Sequence, residues 1–563
     1  AYYKDPARMV GGQVRPPVIA IQNPEIVRRH MASVLIAAFL RRCADDLERF
    51  RERAELRVGS FFMPDGELPT GPDLLAQYVA ERPEALRDAL RRIVPPPLHA
   101  ELRLDDWGWL DKVTNSDGTG AMDVAAAMIR EDIELFHKLG AEASAEHTTG
   151  SSKKAGYYFR VEETIRRRDL LNEFSRQGVL PKYGFPVDVV PMVTDHIQNE
   201  NAAKIELQRD LRLAISEFAP GSQIVAAKSV WTGGGLQKQP NRELVLVSFG
   251  ICESCGRFNR KTGEEAAGVC VGCGRPLRSK PGRSGKLVKP EFGFVAAPPD
   301  KSARPGESRP PRSYTSQVYF DSRRRPDHLS PDEDAHWPDF RPVAELGDGR
   351  LSIEKRYSRF GELIVLNHGQ SGRGFEICRD CGYGRPAGGA MGKGKKAGAG
   401  HKNPRNGRPC KGYLEHRHLG HDFMTDLLEL RMRGPSAQPD TDDQDKSTWW
   451  SVLYALIEGA SAALEIRRND LNGTLYHHDR HAAPILVLYD DVPGGAGHVH
   501  RVADELPAVF NAALQRVESC SCGEETACHE CLWNYYNQPR HARLSRGKAA
   551  EFLRAALGAR VMT

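Results

Sequence analysis

Apolar residues recur at helical spacing from Asn23 to about Arg57, with Asn23 placed to cap and Pro24 suited to the first helical position. The same periodicity predicts a helix from about Gly71 to Ile93, stopped by Pro95–Pro97, and another over roughly Ala121 to Leu139. A further helix is expected over Val161–Arg176, followed by turn chemistry at Gly178, Pro181 and Gly184. Up to about residue 235 the chain therefore reads as largely helical. The pattern then changes. Glu243–Phe249 is strand-like by its β-branched content and runs straight into a cysteine pair. Residues 277–313, rich in Pro, Gly, Ser and Lys, predict a long loop, and Arg350–Asn367 predicts β-structure. Gly384 to Gly412 is a Gly/Lys low-complexity insertion, and residues 434–447 form a polar linker. The remainder alternates helix (Trp449–Arg467), strand (Ile485–Tyr489), turn (Pro493–Gly497) and helix (His498–Val517), which is α/β in character.

At 563 residues the chain exceeds one ordinary core. The expected fold class is mixed α+β and multidomain: a helical N-terminal half, zinc-ribbon β modules, and a C-terminal α/β domain with a four-cysteine knot. Expected boundaries are 1–150 (helical), 151–240 (a helical, winged-helix-like connector), 241–300 (zinc ribbon), 301–440 (a β-rich second zinc module carrying the insertion) and 441–563 (metal-binding domain). With 40% hydrophobic and 27% charged residues, the balance is that of a folded globular protein. No apolar run reaches the ~18 residues a bilayer span requires. Ala32–Leu40 is short, flanked by arginines, and reads as buried helix. The opening AYYKDPARMV lacks a secretory pattern, so a cytoplasmic location is expected; it also lacks an initiating Met, as in a fragment or a processed product.

Twelve cysteines change this picture most. All but Cys43 fall into three tight groups, and without a secretory signal such groups read as metal ligands before disulfides. The first is Cys252-x-x-Cys255 … Cys270-x-x-Cys273, two knuckles that set four thiolates in a tetrahedron around zinc; a redox dithiol pair is the alternative. The second is Cys378-x-x-Cys381 with Cys410 beyond the insertion. Its fourth ligand is open among His401, His416, His418 and His421; His401 is favoured because it and Cys410 can form a second knuckle, with His416 next. The third, Cys520-x-Cys522-x5-Cys528-x-x-Cys531, packs four thiolates into one short segment after a helix. Closed four-ligand shells leave no position for water, so about three structural, non-catalytic zincs are expected.

The formal charge of +5 says little, but its distribution says more. Arg278, Lys280, Arg283, Lys286 and Lys289 form one basic run; Lys393, Lys395, Lys396, Lys402, Arg405, Arg408 and Lys411 form another. Such loops neutralise phosphates or are simply solvated linkers. After Cys531, Trp533 and Tyr536 suit base stacking or packing on the metal knot, and Arg540 and Arg543 suit phosphate contact. The segment Tyr489 to His498 offers Asp490 and Asp491, with Glu458 on the preceding helix, either as ligands of a divalent metal or as parts of a tight strand-to-helix turn. There is no GxxxxGK[ST] loop to cradle a triphosphate, and DEDAH at 332–336 lies in a Pro-rich loop without a preceding strand. This chain alone is not expected to hydrolyse ATP.

Several segments together resemble the C-terminal, post-motor region of large bacterial superfamily 2 DEAD/DEAH-box helicases that carry the DUF1998 domain. They are YYKDPARMVGGQVRPP near the start, LLNEFSRQGVLPKYGFPVDVV at 170–190, RDLRLAISEFAPGSQIV at 209–225 and GRGFEICRDCG at 372–382. LGHDFMTDLLEL at 419–430, YALIEGASAALEI at 454–466, VLYDDVPGGAGH at 487–498 and CSCGEETACHECLWNYYNQPRHARLSRG at 520–547 complete the set. The resemblance implies that residues 1–150 are a helical post-motor domain and that 441–563 is the DUF1998 metal-binding domain. It implies motor lobes that precede residue 1 or sit on a separate helicase subunit, with ATP and Mg bound only there. It further implies DNA as partner, no membrane, and a place in DNA repair or in antiphage systems of Druantia-like or DISARM-like type, with other defence proteins as possible partners. The expected role is to bind and guide DNA for an ATP-dependent helicase; the alternatives are a metal-dependent nuclease centred on Asp490 and Asp491, and a zinc-stabilised scaffold. The absence of motor motifs and the Gly/Lys insertion are departures from that pattern.

Overall fold

A computed structural model describes residues 24–46, 56–63, 68–181, 188–197, 202, 205–297, 316–321, 339–388, 400–438, 447–476, 482–534 and 537–558, with short gaps at 116, 119, 147–150, 178, 241, 255–256, 263–267, 272, 279, 281, 348–349, 370–371 and 492–494. The helices of the first half are α1 (Pro24–Asp46), α2 (Val58–Phe62), α3 (Gly71–Ala80), α4 (Glu84–Ile93), α5 (Ala121–Ala145), α6 (Ser151–Arg166), α7 (Leu170–Arg176) and α8 (Leu211–Glu217). Asn23, the expected cap, lies outside the described residues. Three segments predicted as continuous helices are interrupted or end early, and α6 begins at Ser151, ahead of the predicted Val161. Arg57 belongs not to α1 but to the cap of α2 and an isolated bridge to Asp169. The Gly71–Ile93 helix breaks at Arg82, whose φ is 48°, because Pro83 disfavours helical geometry in the residue before it. Val161–Arg176 breaks where Asp169 turns out to cap α7, its carboxylate accepting from the Asn172 N–H at 3.0 Å. α5 runs longer than expected, to Ala145.

The chain up to residue 235 is largely helical, as expected, but strands enter from residue 189 onward. β1 (Val189–Val193), β2 (Gln208–Asp210), β3 (Gln223–Ala226) and β4 (Ser229–Leu236) precede that point or span it. With β8 (Phe294–Ala297) they form a sheet of order β2-β1-β8-β4-β3. These strands are short and interrupted by α8, so no long period-two pattern marks them.

The second sheet holds eleven strands among the described residues. Its spine is β11 (Ser352–Asn367) paired antiparallel with β16 (Leu414–Arg433). β5 (Leu246–Ile251), β6 (Phe258–Thr262) and β7 (Ser284–Val288) join through β7 and β16, while β9 (Ser316–Asp321) and β10 (Arg341–Gly347) flank β11. β12 (Phe375–Cys378), β13 (Gly384–Pro386), β17 (Leu471–Tyr476) and β18 (Ile485–Asp490) complete it. The 277–313 segment, expected to be one loop, thus supplies β7 and β8. The sheet also draws strands from both sides of residues 300 and 440.

β18 shows how this sheet separates two cores. Ile485, Val487 and Tyr489 pack with the N-terminal helices, whereas Leu486 and Leu488 face the C-terminal ones. Alternation with a period of two produces that division. Along β11 the division changes phase: Ile353, with Leu351 just before the strand, joins the second core, Leu363 and Val365 the first. The cause is a bulge in β11 between Ser358 and Gly361, where one extra residue resets which side chains face which side. Gly361 is required there, since a Cβ would lie 1.7 Å from Leu427 Cδ1. The second core is closed by α9 (Ser447–Ala463), α10 (His498–Asp504), α11 (Leu506–Glu518) and α12 (Arg546–Ala556). The predicted single helix His498–Val517 is two, with Glu505 between them and Pro507 in the first turn of α11.

Candidate metal centres

The first cysteine group sits on the β5–β6 hairpin and the knuckle that follows. Cys252 follows the last residue of β5; its N–H donates to Arg257 O at 2.9 Å, and the Cys270 N–H donates to Arg275 O at 2.8 Å. Each turn thereby folds back over its own sulfur. Cys252, Cys270 and Cys273 have donor atoms within 4.8 Å of one another, with Cys252 Sγ 3.6 Å from Cys273 Sγ. Cys255 lies outside the described residues.

The second group gathers residues far apart in sequence. Cys378 closes β12 and Cys381 follows in a turn whose Gly382 has φ 77°. The hairpin of β14 (His401–Lys402) and β15 (Pro409–Cys410) sets His401 opposite Cys410. Cys381 Sγ is 3.1 Å from His401 Nε2, and Cys378 Sγ is 3.9 Å from Cys410 Sγ. Tyr383 stacks on the His401 ring at 4.9 Å and fixes its plane. Of the four histidines considered, His401 alone joins the three cysteines within 4.8 Å among the described residues. His416 is exposed on β16, His418 pairs with His368 through their Nδ1 atoms at 3.2 Å, and His421 lies 4.0 Å from Asp188.

The third group follows α11. Cys520 Sγ is 3.5 Å from both Cys522 and Cys528 Sγ, and Cys522 Sγ is 3.8 Å from Cys531 Sγ. This knot is stitched to its surroundings. Arg546 donates to Cys522 O at 2.6 Å and to Val517 O at 3.1 Å, and the Ser545 N–H donates to Ser451 Oγ on α9 at 3.0 Å.

The spacing in these groups fits zinc. Ligands ~2.3 Å from a tetrahedral centre lie ~3.8 Å from one another, and the sulfur separations run from 3.5 to 4.0 Å. A disulfide would need about 2.05 Å, and the described cysteines are all free. Burial pushes the Cys381 thiol up to about 12 and the Cys378 and Cys531 thiols upward as well. Burial also holds His401 below its ordinary value, leaving a neutral ring whose lone pair can bind a cation. Clustered thiolates in such surroundings need a compensating divalent ion.

The acidic segment takes the structural alternative. The Asp490 side chain is fully buried and accepts backbone N–H groups from Ala496 at 2.5 Å, Val499 at 2.9 Å and His498 at 3.0 Å. Asp491 pairs with Arg212, and Glu458 pairs with Arg468 and, at 3.5 Å, with Arg516. The Asp490 carboxylate is thereby committed to a strand-to-helix latch, while Asp491 and Glu458 are held in ion pairs with arginines.

The basic residues divide. Lys393, Lys395 and Lys396 lie outside the described residues. Lys402, Arg405, Arg408 and Lys411 are exposed on or beside the β14–β15 hairpin, with Arg405 3.2 Å from Asp195. Lys289, expected in a basic loop, is instead buried, 3.3 Å from Asp422 and 3.8 Å from Asp188. Arg540 lies 3.8 Å above the Trp450 ring, and Arg543 is exposed. Trp533 stacks on His541 at 4.4 Å with planes 3° apart, beside the third centre; Tyr536 lies outside the described residues.

Sequence reading missed several largely buried ion pairs: Arg176–Glu173 within α7, Arg260–Glu362 and Arg356–Glu429 between strands of the large sheet, and Arg168–Glu291 between two connecting segments. The signal available was charge inside otherwise apolar strand sequence, as at Asp422, Asp426 and Glu429.

Comparison with known proteins fits this framework. Residues 452–532 match the family described as the MrfA Zn-binding domain, a stretch that contains all four cysteines of the third centre. The chain is similar to the Druantia protein DruE. That protein, from Escherichia coli (strain UMEA 4076-1), is 26% identical over 609 residues, which take in 99% of this chain and 31% of DruE. The chain thus spans about a third of the curated relative's length. The resemblance to the C-terminal region of DUF1998 helicases of Druantia type, read first from short motifs, therefore holds along the chain. Among solved structures, the DUF1998 helicase MrfA bound to DNA matches with a TM-score of 0.31 and 12% identity, covering 72% of this chain and 42% of MrfA. MrfA bound to DNA and AMPPNP matches with a TM-score of 0.18 and 11% identity, over 73% and 45% respectively. No described helix is long and apolar enough to cross a membrane.

Proposed function

We propose that this chain is the non-motor, zinc-framed part of an ATP-dependent DNA helicase or translocase, or its accessory subunit, and that it binds and guides DNA in antiphage defence. The observation that carries this reading is similarity to DruE over 99% of the chain but only 31% of that protein, in a sequence without a phosphate-binding loop. The residues assigned to zinc are Cys252, Cys255, Cys270 and Cys273; Cys378, Cys381, His401 and Cys410; and Cys520, Cys522, Cys528 and Cys531, giving about three zincs per chain. The exposed cations at Lys402, Arg405, Arg408 and Arg543 supply phosphate contacts. ATP and Mg belong to motor lobes supplied in cis or by a helicase subunit in trans.

The test uses the purified chain. Binding to DNA that weakens steeply with salt, together with ATPase activity only when the motor is supplied, supports the reading. A chain that binds no DNA at low salt yet captures other defence proteins is a scaffold, and the proposal falls.

A further inference from the structure

Tyr413 is 87% exposed, more than any other described large apolar or aromatic residue with a marked exposure. It stands between Cys410 and the first residue of β16, Leu414, which pairs with Cys378. Metal ligands therefore lie on both sides of it: Cys410 three residues before, and Cys378 across the pairing. A single exposed ring is ordinary on a protein surface, but this one is carried on a frame closed by four donor atoms within 4.8 Å and stands among exposed cations.

Its surroundings say what kind of molecule covers it. From Cys381 to Leu414 the sequence contains no Asp or Glu, but it contains Arg385, Lys393, Lys395, Lys396, Lys402, Arg405, Arg408 and Lys411. In the described part, Lys402, Arg405, Arg408 and Lys411 are all exposed. Lys402 pairs with Pro409 across the hairpin. The turn between them is held by its own backbone: Asn403 N–H to Arg408 O and Gly407 N–H to Asn403 O, both at 2.9 Å. Asn403 and Asn406 side chains accept the Arg405 and Arg408 N–H groups at 2.9 and 3.0 Å. The cations thus project from a fixed hairpin. Acids do stand nearby. Glu415, two residues beyond Tyr413, pairs with Arg417. Asp380 lies behind Gly412, where an added Cβ would come 2.6 Å from its carboxylate, and Asp195 pairs with Arg405. The Arg405–Asp195 pair is about half exposed and therefore weak in water, easily exchanged for a phosphate.

We infer that the second metal centre presents a single-stranded DNA platform, with Tyr413 stacking on an unpaired base and Lys402, Arg405, Arg408 and Lys411 meeting the phosphates. This rests on the DNA-handling role proposed above and narrows it to one strand. Phosphate contacts alone serve duplex and single strand alike, but a duplex keeps its base faces stacked inside. An exposed ring has a partner only where bases are free.

The test compares the full chain with Tyr413→Ala and Tyr413→Phe, titrated against a short oligothymidine and a duplex of equal length, with zinc content measured for each. Expected is a roughly tenfold loss of oligothymidine affinity in Tyr413→Ala, rescue by Tyr413→Phe, and duplex affinity unchanged within about twofold. Equal losses on both DNAs, or no loss on either, overturn the stacking role while leaving DNA handling intact. Polyglutamate binding with the same dependence on Tyr413 also overturns it, because the platform would then serve an acidic protein. A wild-type chain that binds neither DNA overturns the broader reading as well.

Discussion

The second and third metal centres use the same chemistry for different ends. In the third, all four ligands fall between Cys520 and Cys531, and Cys520, Cys531 and Leu532 are part of the C-terminal core. Arg546 and Ser545 tie the knot to α11 and α9. In the second, Cys378 and Cys410 are separated by a long insertion, and the hairpin that brings His401 and Cys410 in carries exposed cations. One centre is a keystone of a core and the other a clip holding a surface element. The position of the apolar surroundings, more than ligand number, decides what a structural metal stabilises.

Substitution at the keystone should produce the largest effect. Cys531→Ser is expected to release one zinc and unfold residues 441–563, a loss above ~5 kcal/mol, comparable with the stability of a whole domain. Limited proteolysis and far-UV circular dichroism would detect it, and an intact C-terminal region would show that the third centre is no keystone. Asp490→Ala removes the carboxyl group that accepts three backbone N–H groups in the latch beside that core and should destabilise it by about 3–4 kcal/mol. Metal-dependent DNA cleavage, absent before and after the change, would agree with the latch role.

Acid should act next, on the sheet that joins the two regions. Burial holds His368 down to about 4, His418 to about 3 and His421 to about 4. Their unfolded counterparts take up protons near 6.5, so the unfolded state binds more protons throughout that interval. The stability they contribute is complete above pH 6.5 and is lost as pH falls toward 4, by about 3 kcal/mol for His368 alone. Thermal melts across that range check this, and His368→Phe should flatten the slope.

At the clip, His401→Ala should let a mild chelator remove one zinc while Tm moves by only a few degrees, because no large core depends on the hairpin. Unfolding of the N-terminal core instead would show that the clip is a second keystone. The smallest effect on stability, within about 0.5 kcal/mol, belongs to Lys402→Ala, Arg405→Ala and Arg408→Ala combined. Their readout is DNA binding: weaker affinity and a salt slope reduced by about 2 for single strands.

The two centres were unequally legible. Ligands close together in sequence, as from Cys520 to Cys531, bring themselves to one point, so their spacing alone carries the reading. His401 could be favoured but not fixed from sequence, because His416, His418 and His421 are equally near along the chain. β16 settles the matter by directing His418 to His368 and His421 toward Asp188. Tyr413 escaped notice because a tyrosine next to a strand looks like core until its exposure is known.

The sequence by itself determined the three cysteine groups, the mixed α+β character, the lack of a phosphate loop and the resemblance to the DUF1998 helicases. Each depends on residue type and short spacing, which the chain carries unaided. Tertiary structure decided which histidine completes the second centre, that Asp490 is a latch, that Lys289 is buried, and that one sheet serves two cores. Those outcomes depend on what a strand pairs with and which face is covered, and contacts between residues distant in sequence settle both.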